Sequence, residues 1–273
     1  MKIDNYNLFS RSEKENLTFS FLTVFIFLLI LLFYIIIVNK ICNNKNSLNI
    51  YDYNSNISGT KIVIIGGTHG NEPSGSETIK DLIKNLNNNT IKIKSGKLTL
   101  IPEVNYCGLR VGIRFIPLIG DLNRKYPFKK YKTTCPITLK IMDSIKDADF
   151  ILDFHEGWGF HRVNKQSMGS TITPTTTELS YILANNMLNK INKTINDDKK
   201  KFSVFTDKEE LLSNEYYSKG DDIKGSLRHY ANSLNKNYIL IETTGQNNIQ
   251  PLEIRKSQCN LFITELLSHF DMI

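Results

Sequence analysis

From Leu17 to Val38 the chain reads LTFSFLTVFIFLLILLFYIIIV, with no charged side chain between Glu15 and Lys40. Roughly 20 apolar residues are enough for a helix to cross the hydrocarbon core of a bilayer. A helix buried in a globular core would show polar residues at some helical period, and this stretch shows none. A cleaved signal peptide has a shorter apolar region followed by small residues at a cleavage site. Here the run ends in Asn39-Lys40-Ile41-Cys42. The expectation is therefore a tail over 1–16, a retained transmembrane helix over 17–38 in contact with the lipid bilayer, and a single-pass membrane protein. Lys2, Arg11 and Lys14 before the span are nearly balanced by Lys40 and Lys45 after it, so basic residues lean only slightly towards a cytoplasmic N-terminus. The sequons at Asn56, Asn88 and Asn192 add little in so asparagine-rich a chain.

Residues 39–59 are polar and aperiodic and read as a linker. A folded domain is expected over 60–273. Lys61 to Ile65 is a continuous apolar run closed by Gly66-Gly67, the pattern of a strand buried on both faces. Pro73 opens a helical pattern that continues to about Leu86. Further strands are expected at Leu98–Ile101, Phe150–Phe154 and Tyr238–Ile241, and helices at 136–147, 176–195, 223–235 and 251–270. Strands alternating with helices imply an α/β fold with a mixed, largely parallel sheet flanked by helices.

The net charge of +7 invites a polyanionic partner, but the basic residues are scattered, and the run Lys199-Lys200-Lys201 follows Asp197-Asp198. A solvated charged face is the better reading, and no nucleic-acid partner is expected. The four cysteines, Cys42, Cys107, Cys135 and Cys259, offer no C-x-x-C spacing, which argues against a zinc ribbon or a redox motif.

Ligands of open α/β sheets bind beyond the carboxyl ends of the strands. His69 and Glu72 follow the first strand of the domain, His155 follows the strand at 150–154, and Glu242 follows that at 238–241. A catalytic zinc takes three protein ligands and leaves a fourth position open, and His69-Gly70-Asn71-Glu72 with His155 would supply three. Taken alone, H-x-x-E is a weak signal, and a lone loop histidine is more often hydrogen-bonded to its neighbours than a ligand. The order of four motifs is far more specific. Gly66-Gly67-Thr68-His69-Gly70-Asn71-Glu72, Gly120-Asp121-Leu122-Asn123-Arg124-Lys125-Tyr126-Pro127, Asp153-Phe154-His155-Glu156-Gly157 and Ile241-Glu242-Thr243-Thr244-Gly245 follow one another along the chain. In this the chain resembles the succinylglutamate desuccinylase/aspartoacylase family, of the zinc metallocarboxypeptidase superfamily, from about Lys61 onward.

The resemblance implies a zinc carboxypeptidase-like fold and a hydrolase that holds one Zn²⁺ and cuts an amide bond beside a free carboxylate; the apolar run at 17–38 would anchor it to a membrane. It implies His69, Glu72 and His155 as metal ligands, and Glu242 as the carboxylate that takes a proton from water and later protonates the leaving amine. Asn123 and Arg124 would grip the substrate carboxylate, and Asp121 would orient His69. A basic residue that polarises the scissile carbonyl is expected at Arg114, with Arg110 as the alternative. Asp121-Leu122-Asn123-Arg124 has a plainer reading as an Asx turn. Glu156, Trp158, His161 and Arg162 are candidates for pocket lining, Arg228 for substrate contact, and Tyr217 or Tyr230 for closing over it. Aspartoacylase-like enzymes carry a β-rich domain after the catalytic glutamate, whereas 31 residues (273 − 242) follow Glu242 here. That implies an open cleft and a substrate that is a peptide or conjugate, beyond small N-acyl amino acids. The competing expectation is a catalytically silent binding module on the same fold.

Overall fold

The computed structural model describes residues 11–43, 48–116, 119–128, 131–205 and 225–273. The chain divides after residue 46 into two units. The first contains helix α1 (Arg11–Asn43), whose side chains from Phe19 to Ile37 are all exposed, over a window of mean hydropathy 3.0. By length and composition the helix can cross a membrane.

The second unit holds, in order, β1 (Tyr51–Asn54), β2 (Lys61–Gly66), α2 (Pro73–Asn87), β3 (Lys97–Ile101), α3 (Tyr106–Val111), a 3₁₀ turn (Leu122–Arg124), α4 (Pro136–Ile145) and β4 (Phe150–Gly157). It continues with β5 (Thr171–Pro174), α5 (Glu178–Lys193), β6 (Ser203–Val204), α6 (Leu227–Ser233), β7 (Asn237–Thr244) and α7 (Leu252–His269). The strands form one sheet in the order β1-β3-β2-β4-β7-β5-β6. Its centre, β3-β2-β4-β7, is parallel, while β1 and β5 pair antiparallel with β3 and β7. This is the mixed, largely parallel α/β sheet read from the sequence.

Alternation along the strands fills both faces, because successive side chains point to opposite sides. Ile62, Ile64, Leu152, Phe154, Ile239 and Ile241 pack with α2, α5 and α7. Val63, Ile65, Ile151 and Tyr238 pack with Ile141 and Ile145 of α4 and with Leu227 and Ala231 of α6. Two apolar faces leave little room for polar positions within these runs, Asp153 being the exception, which is why they read as nearly continuous in the sequence.

Three expectations need correction. Residues 39–59 are not wholly a linker: Tyr51–Asn54 pairs with β3, and Asp52 accepts from Thr99 Oγ1 at 2.6 Å and from Lys97 Nζ at 2.9 Å. Only Tyr53 of this edge strand is partly buried, too little to register as an apolar period. The strands at 150–154 and 238–241 run three residues further, to Gly157 and Thr244, since polar side chains end an apolar run without ending a hydrogen-bonded ladder. Strands β5 and β6 were not anticipated, being short and rich in Thr and Ser.

Candidate functional site

The register of the two central strands sets His155 directly beside Glu242. Two residues back, Asp153 lies beside Leu240, and Ile151 beside Tyr238, so these side chains share the α4/α6 face of the sheet. His69 and Glu72 reach the same place from the loop between β2 and α2. Gly70 allows that loop to lie flat on α3, where a Cβ would fall 2.0 Å from the carbonyl carbon of Gly108.

His69 Nδ1 is 2.9 Å from Glu72 Oε1, His155 Nδ1 is 3.0 Å from Glu72 Oε2, and the two Nδ1 atoms are 3.1 Å apart. All three residues are 2% exposed. Donor atoms about 2.1 Å from a tetrahedral ion lie about 3.4 Å from one another, so this spacing fits one divalent cation with modest expansion. The remaining ring nitrogens face carboxylates: His69 Nε2 lies 3.1 Å from Asp121 Oδ1, and His155 Nε2 lies 3.4 Å from Asp153 Oδ2. Tyr238 donates to the same Asp153 oxygen at 2.8 Å. Carboxylates behind both imidazoles are what a metal-binding histidine pair needs to hold its tautomers. The donor set therefore fits the metal that the sequence implies, and the three residues form a group able to hold one ion.

The electrostatics agree. Burial disfavours charge on Glu72, yet the facing imidazoles hold its carboxyl well below the usual range. Burial likewise disfavours the His155 cation, but Asp153 and Glu72 raise its pKa well above the ordinary value. Asp121 is held far below the carboxylate range against its burial, by His69, Arg114 and Arg124. Burial pushes Glu242 up to about 8, His155 pulling it down and Glu72 pushing it further up.

A cleft of about 310 Å³ opens beside the cluster, lined among others by Arg114, Asn123, Arg124, Arg228, Glu242 and Gln246. Arg114 donates from Nη1 to Glu72 Oε1 at 2.9 Å and from Nε and Nη2 to Asp121 Oδ2 at 3.3 Å. Arg110 instead faces Glu103 at 3.6 Å and stacks over Tyr106, and it is not among the residues lining the cleft. The two readings of Asp121 coexist: Oδ1 accepts the Asn123 N–H at 2.9 Å, an Asx turn, as well as meeting His69. Asn123 Oδ1 accepts from Leu227 N at 2.9 Å, so its Nδ2 is the group left for a ligand.

Trp158, 44% exposed, and Glu156, 1% exposed, are among the residues bordering the cleft, although the Glu156 carboxylate itself is held by Ser74 and Arg255. His161 and Arg162 do not: His161 donates to Ser167 O at 2.8 Å, and Arg162 donates to the carbonyls of Asp198 and Phe202. Tyr230 stacks on Tyr126 against the second core. Tyr217 lies outside the described residues. Sequence reading missed Asp153, although D-x-H in a strand puts both side chains on one face, a signal that period two would have revealed. It also missed Gln246, which sits in an irregular turn after β7 and has no pattern to betray it.

Residues 58–269 match the model of the succinylglutamate desuccinylase/aspartoacylase catalytic domain. The chain belongs to the succinylglutamate desuccinylase/aspartoacylase family. Among solved structures it is similar to the tripeptide-bound cell shape determinant Csd4 of Helicobacter pylori, with 19% identity, TM-score 0.67, and coverage of 83% of this chain and 56% of that one. It is also similar to the mDAP-bound form of Csd4, a D,L-carboxypeptidase (19% identity, TM-score 0.63, 79% and 52% coverage). A third similar structure is the ectoine utilization protein EutE (DoeB) of Ruegeria pomeroyi (17%, 0.55, 83% and 61%). The chain spans about half the length of these Csd4 structures, 56% and 52%, and at such identities the likeness shows the fold. No curated protein matches the sequence.

Proposed function

We propose that this family member is a membrane-anchored, zinc-dependent hydrolase that cleaves an amide bond adjacent to a free carboxylate. The observation that carries the reading is the convergence of His69 Nδ1, His155 Nδ1 and the Glu72 carboxylate within 3.1 Å, with Glu242 on the neighbouring strand. Zinc suits a His/His/Glu donor set, and when bound it supplies a Lewis acid that lowers the pKa of water to around 7 and polarises a carbonyl. Glu242 takes a proton from the attacking water and returns it to the leaving nitrogen. Arg114, pointed at the site by Asp121, offers N–H groups to the carbonyl oxygen as negative charge develops there. Arg124, with Asn123 Nδ2, holds the substrate carboxylate and so fixes which bond is cut. The similarity to a D,L-carboxypeptidase favours a peptide over an N-acyl amino acid as substrate.

Full-length chain in detergent micelles, analysed for bound metal and offered peptides with a free or an amidated C-terminus, tests this reading. About one zinc per chain and cleavage restricted to the free carboxylate are expected. Metal-free protein, or equal cleavage of the amidated peptide, would overturn it. The same preparation tests the anchor: an intact mass that includes residues 1–43 supports retention of the apolar helix, and a mass lacking them identifies a removed signal.

Two further outcomes follow from the side chains. Arg124→Lys loses the paired, planar hydrogen bonds to a carboxylate, so KM is expected to rise about tenfold or more while kcat changes less. An unchanged KM would remove Arg124 from the substrate site. Metal binding must expel the proton that Asp153 and Glu72 help His155 to retain, so Zn²⁺ affinity rises with pH. Chelator competition is expected to give at least about tenfold tighter binding at pH 8 than at pH 6.

A further inference from the structure

Glu156 follows His155 in β4 and therefore points to the opposite side of the sheet, towards α2 and α7. Its Oε1 accepts the backbone N–H of Ser74 at 2.6 Å, and its Oε2 pairs with Arg255 Nη1 of α7. Glu156 and Arg255 are 1% and 3% exposed. The first N–H groups of a helix have no partner inside it and are ordinarily met by a local capping side chain. Helix α2 has no such cap: its N-cap residue is Glu72, whose side chain makes no capping bond, and Pro73 brings no N–H. The acceptor comes instead from a different strand.

The same residue also reaches Glu72 through its backbone. Glu156 N donates to Glu72 Oε2 at 3.1 Å, and Gln246 Nε2 bridges Glu156 O at 2.5 Å and Glu72 Oε1 at 3.0 Å. Gly245 closes over the ion pair, where a Cβ would fall 1.7 Å from Glu156 Oε2 and 2.5 Å from Arg255 Nη1.

We infer that Glu156, held by Arg255, is a positioning residue: from across the sheet it fixes the start of α2, and with it the point at which Glu72 presents its carboxylate to the metal centre. The inference rests on the metal reading given under Proposed function. Glu72 is two residues before Ser74, so a shift of the first helical turn moves its carboxylate relative to two imidazoles fixed by other segments. Groups that orient metal ligands typically affect affinity 10–100-fold.

Two charge-neutral double variants of the full chain isolate the contact. Glu156→Gln/Arg255→Met keeps a carbonyl oxygen for Ser74 N, and Glu156→Leu/Arg255→Met removes it. Neither leaves a buried charge unpaired, so both are expected to fold. Zn²⁺ affinity, read by competition with a chromophoric chelator on protein shown to be folded by circular dichroism, is the measurement. The glutamine pair is expected to bind within about threefold of wild type, and the leucine pair at least about tenfold more weakly. A core variant with a comparable loss of melting temperature, Phe262→Leu, is expected to bind like wild type, which separates positioning from loss of stability. Should the leucine pair fail to fold, Glu156→Ala/Arg255→Met removes the same acceptor and is read in the same way. Equal affinity for the glutamine and acceptor-less pairs would overturn the positioning role alone. A wild-type chain that holds no Zn²⁺ would overturn the metal reading and the inference together.

Discussion

Glu242→Gln is expected to lower turnover by about 10²–10⁴-fold while leaving the zinc content unchanged. The amide keeps the shape of the side chain and its place beside His155, but it cannot accept and return a proton. Glu242 is no part of the His69–Glu72–His155 group, so metal binding does not depend on it. Burial pushes its pKa up to about 8 in the metal-free protein, and a nearby cation would draw that value back down. A general base works only when deprotonated, so kcat/KM of the wild type should rise with pH through the pKa of this group. The acid limb due to Glu242 should be absent from the residual activity of the glutamine variant. Metal analysis beside steady-state kinetics checks both parts. A variant with zinc and full activity would assign proton transfer to another group and restore the reading of Glu242 as a structural carboxylate.

Arg255→Met is expected to destabilise the fold by about 3–5 kcal/mol, the usual consequence of removing one partner of a buried ion pair. Glu156 would then stay in a site closed by Gly245, with Ser74, through its N–H and its side chain, as its remaining partner. Burial already raises the pKa of Glu156, against the lowering effect of Ser74 and Arg255, and loss of the guanidinium would raise it further. A carboxyl whose folded pKa exceeds its unfolded one binds its proton more tightly when folded. That contribution is present below the unfolded pKa and is lost as pH rises through the folded one. The deficit of the variant relative to wild type should therefore shrink as pH falls towards the ordinary carboxylate range near 4. Denaturant melts of both proteins at pH 7 and pH 5 measure this. A loss below about 1 kcal/mol, independent of pH, would mean that Glu156 escapes to water or takes a new partner.

The motifs of this family were legible in the sequence because they sit where strand and turn chemistry leave the chain little freedom. A run such as Ile62–Ile65 can satisfy its backbone and bury its side chains only as an inner strand, and the glycines after it mark the turn that carries His69 and Glu72. The apolar stretch near the N-terminus was as plain, since composition alone decides whether a helix can enter hydrocarbon. Strand ends were misjudged for the converse reason. Polar His155, Glu156 and Glu242 look like loop residues in one dimension, yet their backbones continue a ladder that only neighbouring strands can complete.

In one dimension the chain is an inventory: an α/β alternation, an apolar helix, and a set of histidines, carboxylates and arginines at strand ends. Which of these meet is a matter of strand order and packing. The fold separated Arg114, aimed at Glu72 and Asp121, from Arg110, which is held by Glu103. It put Arg162 to work on the backbone beside β6 and His161 on the carbonyl of Ser167, and it set Asp153 behind His155 and Glu156 beneath the start of α2. Periodicity reports which face of its own element a side chain takes. Partnership across 80 or more residues, such as that of Glu156 with Ser74, depends on strand order and register, which no local pattern encodes.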